Sequence, residues 1–281
     1  MRIFLFLMSA VLCLGVLVTG HLHWQNKLTA AGIEGKQEQE KIILKEQEEK
    51  QARIKSLDPK NNPTQATIDF LLYKALTQEN VVIAAVGSNG TAGSGASHPS
   101  KTWPELLERG LRLEFPELKN LKITKHGYEG YTTTDLINSG KINDVIAGQP
   151  DLVILENAVL NNYNQSISLE QTNQEIENLV TSLQTGLPNS KIMLLSPNPI
   201  VNSENRNNLK LTYLDYLDES MEKITEKKWP YMDSNGEILT KISKENIVLA
   251  DIMASDHFHL NDRGYYLWYE VIVDFIKNNS L

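Results

Sequence analysis

Short apolar runs alternate with amphipathic stretches along most of the chain. Strands are predicted at residues 81–86, 121–125, 151–155 and 191–195, and the apolar runs at 81–86 and 151–155 indicate strands buried in the sheet. Helical spacing of apolar residues predicts helices at residues 64–78, 103–113, 133–147, 169–185, 207–226 and 262–277. The stretch 229–250 has no clear pattern. Strands that alternate with helices of this length predict an α/β fold, a parallel sheet covered by helices on both faces.

The N-terminal segment has a different pattern. Residues 3–19 are an apolar run without a charge, which is at the short limit for a membrane-spanning helix and long for the core of a signal peptide. We therefore expect an export signal that is retained as a single-pass membrane anchor, with Arg2 on the cytoplasmic side and the rest of the chain outside the cell. Cleavage after Gly20 would instead release a secreted protein.

A charged stretch follows the apolar segment. Residues 36–55 are rich in Lys, Glu and Gln and contain neither Gly nor Pro, which is typical of a solvated helix. Its apolar stripe is too thin for a stable coiled coil. Asp58, Pro59 and Pro63 then break the helical pattern. These features predict an anchor at residues 1–20, a charged helical stalk or linker at 21–63 and a folded domain at 64–281.

Charge and composition exclude several classes of function. The 281 residues carry a formal net charge of −8, which argues against nucleic acid as a partner, because a phosphate backbone requires a basic surface. The single cysteine excludes an intramolecular disulfide and a cysteine-based zinc site. The six histidines are scattered, so we expect no metal centre.

Polar residues with catalytic potential follow the predicted strands. In open parallel sheets, ligands bind at the carboxyl ends of the strands. The segments 86–97, 126–133, 156–162 and 255–265 contain glycine turns, amides, carboxylates and imidazoles. Acyl transfer needs such groups: a nucleophile, an imidazole that takes its proton, a carboxylate that holds the imidazole, and N–H donors for the oxyanion. Asp256 and His259 lie three residues apart, a spacing that lets the carboxylate reach the ring.

From residue 81 onward the chain resembles the SGNH hydrolases, also called the GDSL family of esterases and lipases. The family's last block, Asp-x-x-His followed by Asn and Gly, matches Asp256, His259, Asn261 and Gly264. The resemblance implies a three-layer α/β/α sandwich, similar to flavodoxin, around a five-stranded parallel sheet. It also implies that His259 is the general base, that Asp256 orients it, and that no metal or organic cofactor takes part.

The family's middle blocks supply the oxyanion hole. Its second block carries a glycine that falls on Gly130, and its third carries an asparagine that falls on Asn161. The choice of Asn161 depends on the strand register, because Asn157, Asn162 and Asn164 are close in sequence.

The family's first block, which carries the nucleophilic serine, is altered. Without a gap, the segment 87–93 reads Gly-Ser-Asn-Gly-Thr-Ala-Gly and places Asn89 in the nucleophile slot. An amide is not a usable nucleophile, so this alignment describes an inactive hydrolase. A shift by one residue makes Ser88 the nucleophile and requires one inserted residue before Thr91. The retained Asp256 and His259 favour this second alignment, and both remain open.

These residues support two hypotheses of function. The first is an exported, membrane-tethered hydrolase that cleaves an ester, such as a short acyl group on a carbohydrate, lipid or wall polymer, with Ser88 as nucleophile. The second is a pseudoenzyme with Asn89 in the slot, which binds a glycan or acylated ligand without turnover. A purely structural role, in which the stalk presents the domain to a partner protein, is a third possibility.

Overall fold

The computed structural model describes residues 2–281, with the backbone alone for Arg2. The chain divides into two compact units, of which the first ends at Ser56 and the second is Leu57–Leu281. Helix α1, Arg2–Leu57, is continuous for 56 residues and contains both the apolar segment and the charged stretch. Its large apolar side chains between Ile3 and Val18 are exposed. By length and composition α1 can cross a membrane, and a signal sequence would meet the same criterion.

The second unit is built on a five-stranded parallel sheet in the order β2-β1-β3-β4-β5. Its strands are β1 Val82–Gly87, β2 Lys122–Gly127, β3 Leu152–Glu156, β4 Lys191–Leu195 and β5 Tyr231–Met232. In β3, Leu152 and Ile154 pack into one apolar core, and Val153 and Leu155 pack into the other. This alternation explains the continuous apolar runs, because both faces of each central strand are covered.

Helices cover the sheet on both sides. The remaining helices are α2 Thr67–Thr77, α3 Asn89–Ala92, α4 Trp103–Glu114, α5 Thr133–Asn138, α6 Lys141–Ala147, α7 Val159–Gln165, α8 Leu169–Gly186, α9 Tyr213–Glu226, α10 Ser234–Lys244 and α11 Asp262–Asn278. Residues of α2, α4, α10 and α11 share one core, and residues of α5, α6, α8 and α9 share the other. The predicted three-layer α/β/α sandwich with a five-stranded parallel sheet is therefore confirmed.

Two of the predicted helices differ from the structure. The helix predicted at residues 133–147 is two helices, because Gly140 between α5 and α6 adopts the left-handed region with φ 72°. The helix predicted at 207–226 begins only at α9, where Thr212 and Asp215 form a capping box. Residues before it form a turn held by Asn207, whose Oδ1 accepts from the backbone N–H groups of Leu209 and Leu211. Local side-chain bonds of this kind compete with helix formation.

Candidate functional site

The candidate site lies at the carboxyl edge of the sheet, where β1, β2 and β3 end. Asn89 is the first residue of α3, which follows β1, and Gly130 belongs to the loop that follows β2. Asn161 lies in α7, which follows β3. The loop that precedes α11 carries Asp256 and His259. Hydrogen bonds connect these five residues into one cluster.

Asp256 holds the imidazole of His259 in place. Oδ2 of Asp256 accepts from Nδ1 of His259 at 2.6 Å, and Oδ1 accepts from the backbone N–H groups of Phe258 at 2.9 Å and His259 at 3.0 Å. Burial raises the pKa of Asp256, but these hydrogen bonds outweigh it and lower the pKa to about 2. The carboxylate is therefore ionised at neutral pH. It places the ring proton on Nδ1 and leaves Nε2 free to accept a hydrogen bond.

Asn89 takes the position next to that acceptor nitrogen. Nδ2 of Asn89 donates to Nε2 of His259 at 2.9 Å and to Oδ1 of Asn161 at 3.1 Å. Oδ1 of Asn89 accepts from the backbone N–H of Gly130 at 2.5 Å and from Nδ2 of Asn161 at 3.2 Å. Since a backbone N–H can only donate, the Gly130 contact determines which end of the Asn89 amide carries the oxygen.

Gly130 and Asn161 present their N–H groups to a single point. Gly130 has φ 76°, and a Cβ built on it meets no atom within 4 Å, so its backbone conformation, not lack of space, favours glycine. Nδ2 of Asn161 also donates to the carbonyl of Tyr131 at 2.9 Å, which fixes the orientation of the amide. Both donors, which the resemblance assigns to the oxyanion hole, converge on Oδ1 of Asn89.

The neighbouring asparagines are occupied elsewhere. Nδ2 of Asn162 donates to the hydroxyls of Thr133 at 2.7 Å and Thr172 at 2.9 Å, and Nδ2 of Asn157 donates to the hydroxyl of Ser220 at 3.4 Å. Among these three asparagines, Asn161 is therefore the one brought to Asn89 and His259.

Ser88 is not brought to the imidazole. It is buried, and its hydroxyl donates to Oε1 of Glu156 at 2.8 Å while its N–H donates to Oε2 at 3.0 Å. Thr91 completes the cluster, because its N–H and hydroxyl also donate to Oε2, at 3.2 and 2.9 Å. The structure thus has the ungapped arrangement, in which Asn89 faces His259. The register in which Ser88 contacts the base is not the one observed.

Glu156 was not predicted as a site residue. This carboxyl group is fully buried at the end of β3, and its two oxygens accept all four hydrogen bonds from the turn that carries Asn89. Burial raises the pKa of Glu156, and the hydrogen bonds from Ser88 and Thr91 oppose that rise. The available signal was a carboxylate directly after a fully apolar strand, since charged residues are seldom buried without partners.

The cluster has most of the parts of an acyl-transfer site. An ionised carboxylate holds an imidazole, and two N–H donors converge close to the imidazole nitrogen. The group that faces the imidazole nitrogen is the primary amide of Asn89, and an amide is not a usable nucleophile. Within residues 2–281, no group of three or more His, Cys, Asp or Glu side chains is placed to hold a metal ion.

Solved structures with the same fold include several esterases. A protein assigned to the G-D-S-L lipolytic family from Desulfitobacterium hafniense DCB-2 is 19% identical, with a TM-score of 0.55, over 70% of this chain and 99% of its own. A two-domain esterase active on acetylated mannans is 21% identical, with a TM-score of 0.61, over 76% of this chain and 54% of its own. An acetylxylan esterase from Geobacillus stearothermophilus is 18% identical, with a TM-score of 0.55, over 70% and 94%.

The sequence itself gives the family. No curated protein sequence matches the chain significantly. The profile of the GDSL-like lipase/acylhydrolase family matches residues 85–267, which is more than half of the chain and includes every residue of the cluster. The chain therefore belongs to the GDSL-like lipase/acylhydrolase family.

Proposed function

We propose that the folded domain recognises an acyl ester, such as an acetyl group on a carbohydrate or wall polymer, in an esterase-type site and does not turn it over by the Ser-His-Asp route. The observation that carries this proposal is the position of Asn89. Its amide lies between Nε2 of His259 and the two donors of Gly130 and Asn161, where the nucleophile of the family belongs.

The magnitude of the missing step favours binding over turnover. Removing the serine of a catalytic triad costs roughly a millionfold in rate, which corresponds to about 8 kcal/mol of transition-state stabilisation. The amide of Asn89 cannot replace it, because its nitrogen lone pair is delocalised into the carbonyl. Oδ1 of Asn89 also occupies both oxyanion donors, so a ligand carbonyl must displace it before it can bind there.

The ester class of the ligand is supported by the rest of the cluster and by the relatives. Two of the structurally similar esterases act on acetylated mannan and acetylated xylan. An aspartate and a histidine of the xylan esterase give catalytic mutants when replaced by alanine, and these two residues lie three positions apart there. Asp256 and His259 have the same spacing here.

Aromatic rings beside the cluster suit a carbohydrate. Tyr131 directly follows Gly130, and its half-buried ring stacks on Tyr128 with a centroid separation of 5.0 Å. The half-buried ring of Phe258 packs edge-on against His259 at 5.2 Å. Aromatic rings bury a large area against a flat partner, which favours a sugar ring as the acyl carrier.

A location at the cell envelope is part of the same proposal. The exposed apolar side chains at the start of α1 need a non-aqueous environment, and a bilayer provides one. In this proposal the apolar part of α1 anchors the chain in the membrane.

Ligand recognition is tested with the full chain in detergent. Calorimetric titration with acetylated and deacetylated xylo- or manno-oligosaccharides should show at least about tenfold tighter binding of the acetylated forms, a difference of about 1.4 kcal/mol, without release of acetate. Tyr131→Ala should weaken that binding, and the matched control Tyr266→Ala, on the exposed face of α11, should not. Equal affinity for both forms would refute recognition of the acyl group.

Ester hydrolysis by the wild-type chain is a second candidate. The observation in its favour is the intact pair of Asp256 and His259, at 2.6 Å, which could activate a water molecule in place of a serine. Release of acetate by the wild-type chain that is lost in His259→Ala would establish this function and reject binding without turnover.

A further inference from the structure

The amide of Asn89 is itself held as a hydrolase holds its substrate. Its carbonyl oxygen accepts from the N–H of Gly130 and from Nδ2 of Asn161, the two donors that suit an oxyanion. Its nitrogen, which is the leaving group of amide hydrolysis, lies 2.9 Å from Nε2 of His259. The carbon between them therefore has a polarised carbonyl on one side and a general acid–base on the other.

We propose that this site hydrolyses its own Asn89 side chain, so that position 89 is converted from asparagine to aspartate after folding. The substrate is the primary amide of Asn89, the co-reactant is water, and the catalytic residues are His259, Gly130 and Asn161. The proposal shares the geometry of Asn89 with the proposed function but does not depend on ligand recognition.

The reaction balances without another reagent. A water oxygen attacks Cγ of Asn89, and Nε2 of His259 releases its hydrogen bond from Nδ2 and takes one proton from that water. The carbonyl π electrons move onto Oδ1, where the Gly130 and Asn161 donors stabilise the charge. When the carbonyl re-forms, the Cγ–Nδ2 bond breaks, and the proton on Nε2 passes to Nδ2. Ammonia leaves and becomes ammonium at neutral pH, and the carboxylic acid ionises.

The site should accelerate hydrolysis of the Asn89 amide strongly. A single oxyanion donor is worth about a hundred- to a thousandfold in rate, and a positioned general acid–base about a hundred- to ten-thousandfold. Even the lower ends of these two ranges multiply to on the order of ten-thousandfold over an asparagine outside such a site. The amide is already held in the site, so water is the one reactant that still has to be bound.

Asparagine followed by glycine also deamidates through attack by the next backbone nitrogen, and the structure disfavours that route at Asn89. Gly90 is explained by packing, because a Cβ at this position would lie 2.6 Å from the ring of Trp268. Asn89 and Gly90 lie in the helical turn α3, and closing the five-membered imide ring requires a backbone ψ outside the helical region. Direct hydrolysis gives only aspartate, whereas the imide route also gives iso-aspartate.

Conversion would change the chemistry of the slot. A carboxylate at position 89 accepts hydrogen bonds only, so it would draw a proton onto Nε2 of His259 and form an ion pair there. Unlike an amide, a carboxylate can act as a base or as a nucleophile. Self-hydrolysis would therefore supply a reactive group that the encoded sequence lacks.

The chain offers a matched internal control. Asn235 is also followed by glycine, is also nearly fully buried, and also lies in the first turn of a helix, α10. Its Nδ2 donates to the carbonyl of Pro197 at 3.4 Å, not to an imidazole. If the Asn-Gly dipeptide alone caused deamidation, Asn235 and Asn89 would both react. If the site catalyses the hydrolysis, Asn89 alone reacts.

The test is peptide mapping by mass spectrometry of the full chain in detergent, freshly purified and after incubation at neutral pH in ¹⁸O-labelled water. We expect labelled aspartate at position 89 with no iso-aspartate, while Asn235 stays an amide. His259→Gln and Asn161→Ala should each slow the conversion about a hundredfold or more. Circular dichroism checks that each variant folds, and the comparison with Asn235 remains decisive if one does not.

Three results would overturn the proposal: an unchanged Asn89, equal conversion of Asn235, or iso-aspartate at position 89. Equal conversion rates in the wild-type chain and in a folded His259→Gln variant would do the same. Such a failure would leave acyl recognition standing, since calorimetric titration measures that separately.

Discussion

Replacing Glu156 tests whether a buried carboxyl group holds the turn that presents Asn89. Glu156 accepts four hydrogen bonds, and two of them come from the backbone N–H groups of Ser88 and Thr91. Hydroxyls can rotate to other acceptors, but these two N–H groups cannot. A buried donor left without a partner costs about 1–3 kcal/mol. Glu156→Leu should therefore reduce the free energy of unfolding by about 2–6 kcal/mol.

Glu156→Gln is the matched control. Its Oε1 can take the position of the carboxylate Oε2 and keep both backbone donors. Its Nε2 then faces the hydroxyl of Ser88, which can turn to accept. We expect this variant to stay within about 1 kcal/mol of wild type. Urea unfolding followed by tryptophan fluorescence gives both values, and a Leu variant as stable as the Gln variant would refute this role of Glu156.

The stability of wild type and that of Glu156→Gln should depend differently on pH. Burial raises the pKa of Glu156 above its ordinary value of 4.5, so the unfolded chain releases this proton at a lower pH than the folded one. Stability from this group is present below pH 4.5 and is lost as pH rises through the folded-state pKa. Glu156→Gln should lack that loss, and an unchanged pH profile would contradict a raised pKa.

Three further outcomes follow from the site. Gly130→Ala should cost about 1–2 kcal/mol from its left-handed backbone alone, because the space around it is open; a loss above that range in urea unfolding would contradict the open space. Gly90→Ala should cost about 1–3 kcal/mol by overpacking against Trp268, and Trp268→Phe should relieve part of it in a double-mutant cycle, whereas strictly additive losses would rule out the contact. The pKa of Asp256 is lowered to about 2 from 3.8, so its stabilising effect is present above pH 3.8 and is lost as the pH falls towards 2. The free energies of unfolding of wild type and Asp256→Asn should therefore converge as the pH falls through that range. A difference between them that stays constant with pH would contradict the lowered pKa.

The sequence predicted the sheet well because an unbroken apolar run is typical of a strand covered on both faces. The strand predicted at 191–195 is observed as β4, and the other three predicted strands are one or two residues off at their ends. Strand β5 was not predicted, since two residues carry no periodic signal. The start of α9 was misplaced because the turn at Asn207 depends on side-chain bonds that helical spacing does not report.

The sequence predicted which segments form the site, but not which residue of the segment 87–93 faces the imidazole of His259. Asp256 and His259 pair as their spacing suggested, since a short loop allows few arrangements. The choice between Ser88 and Asn89 could not be made from the segment alone, because both side chains are small and polar. The deciding partner, Glu156, is distant in sequence and pulls Ser88 into the interior.

The central claim is that Asn89 occupies the nucleophile position of an otherwise complete site, and restoring a serine tests it most directly. Hydrolysis of a short activated acyl ester should be compared in freshly purified wild type, Asn89→Ser, and Asn89→Ser combined with either His259→Ala or Ser88→Ala. We expect a silent wild type, activity in Asn89→Ser, loss of that activity with His259→Ala, and its retention with Ser88→Ala. Activity in the wild type that disappears in a single Ser88→Ala variant would contradict the account.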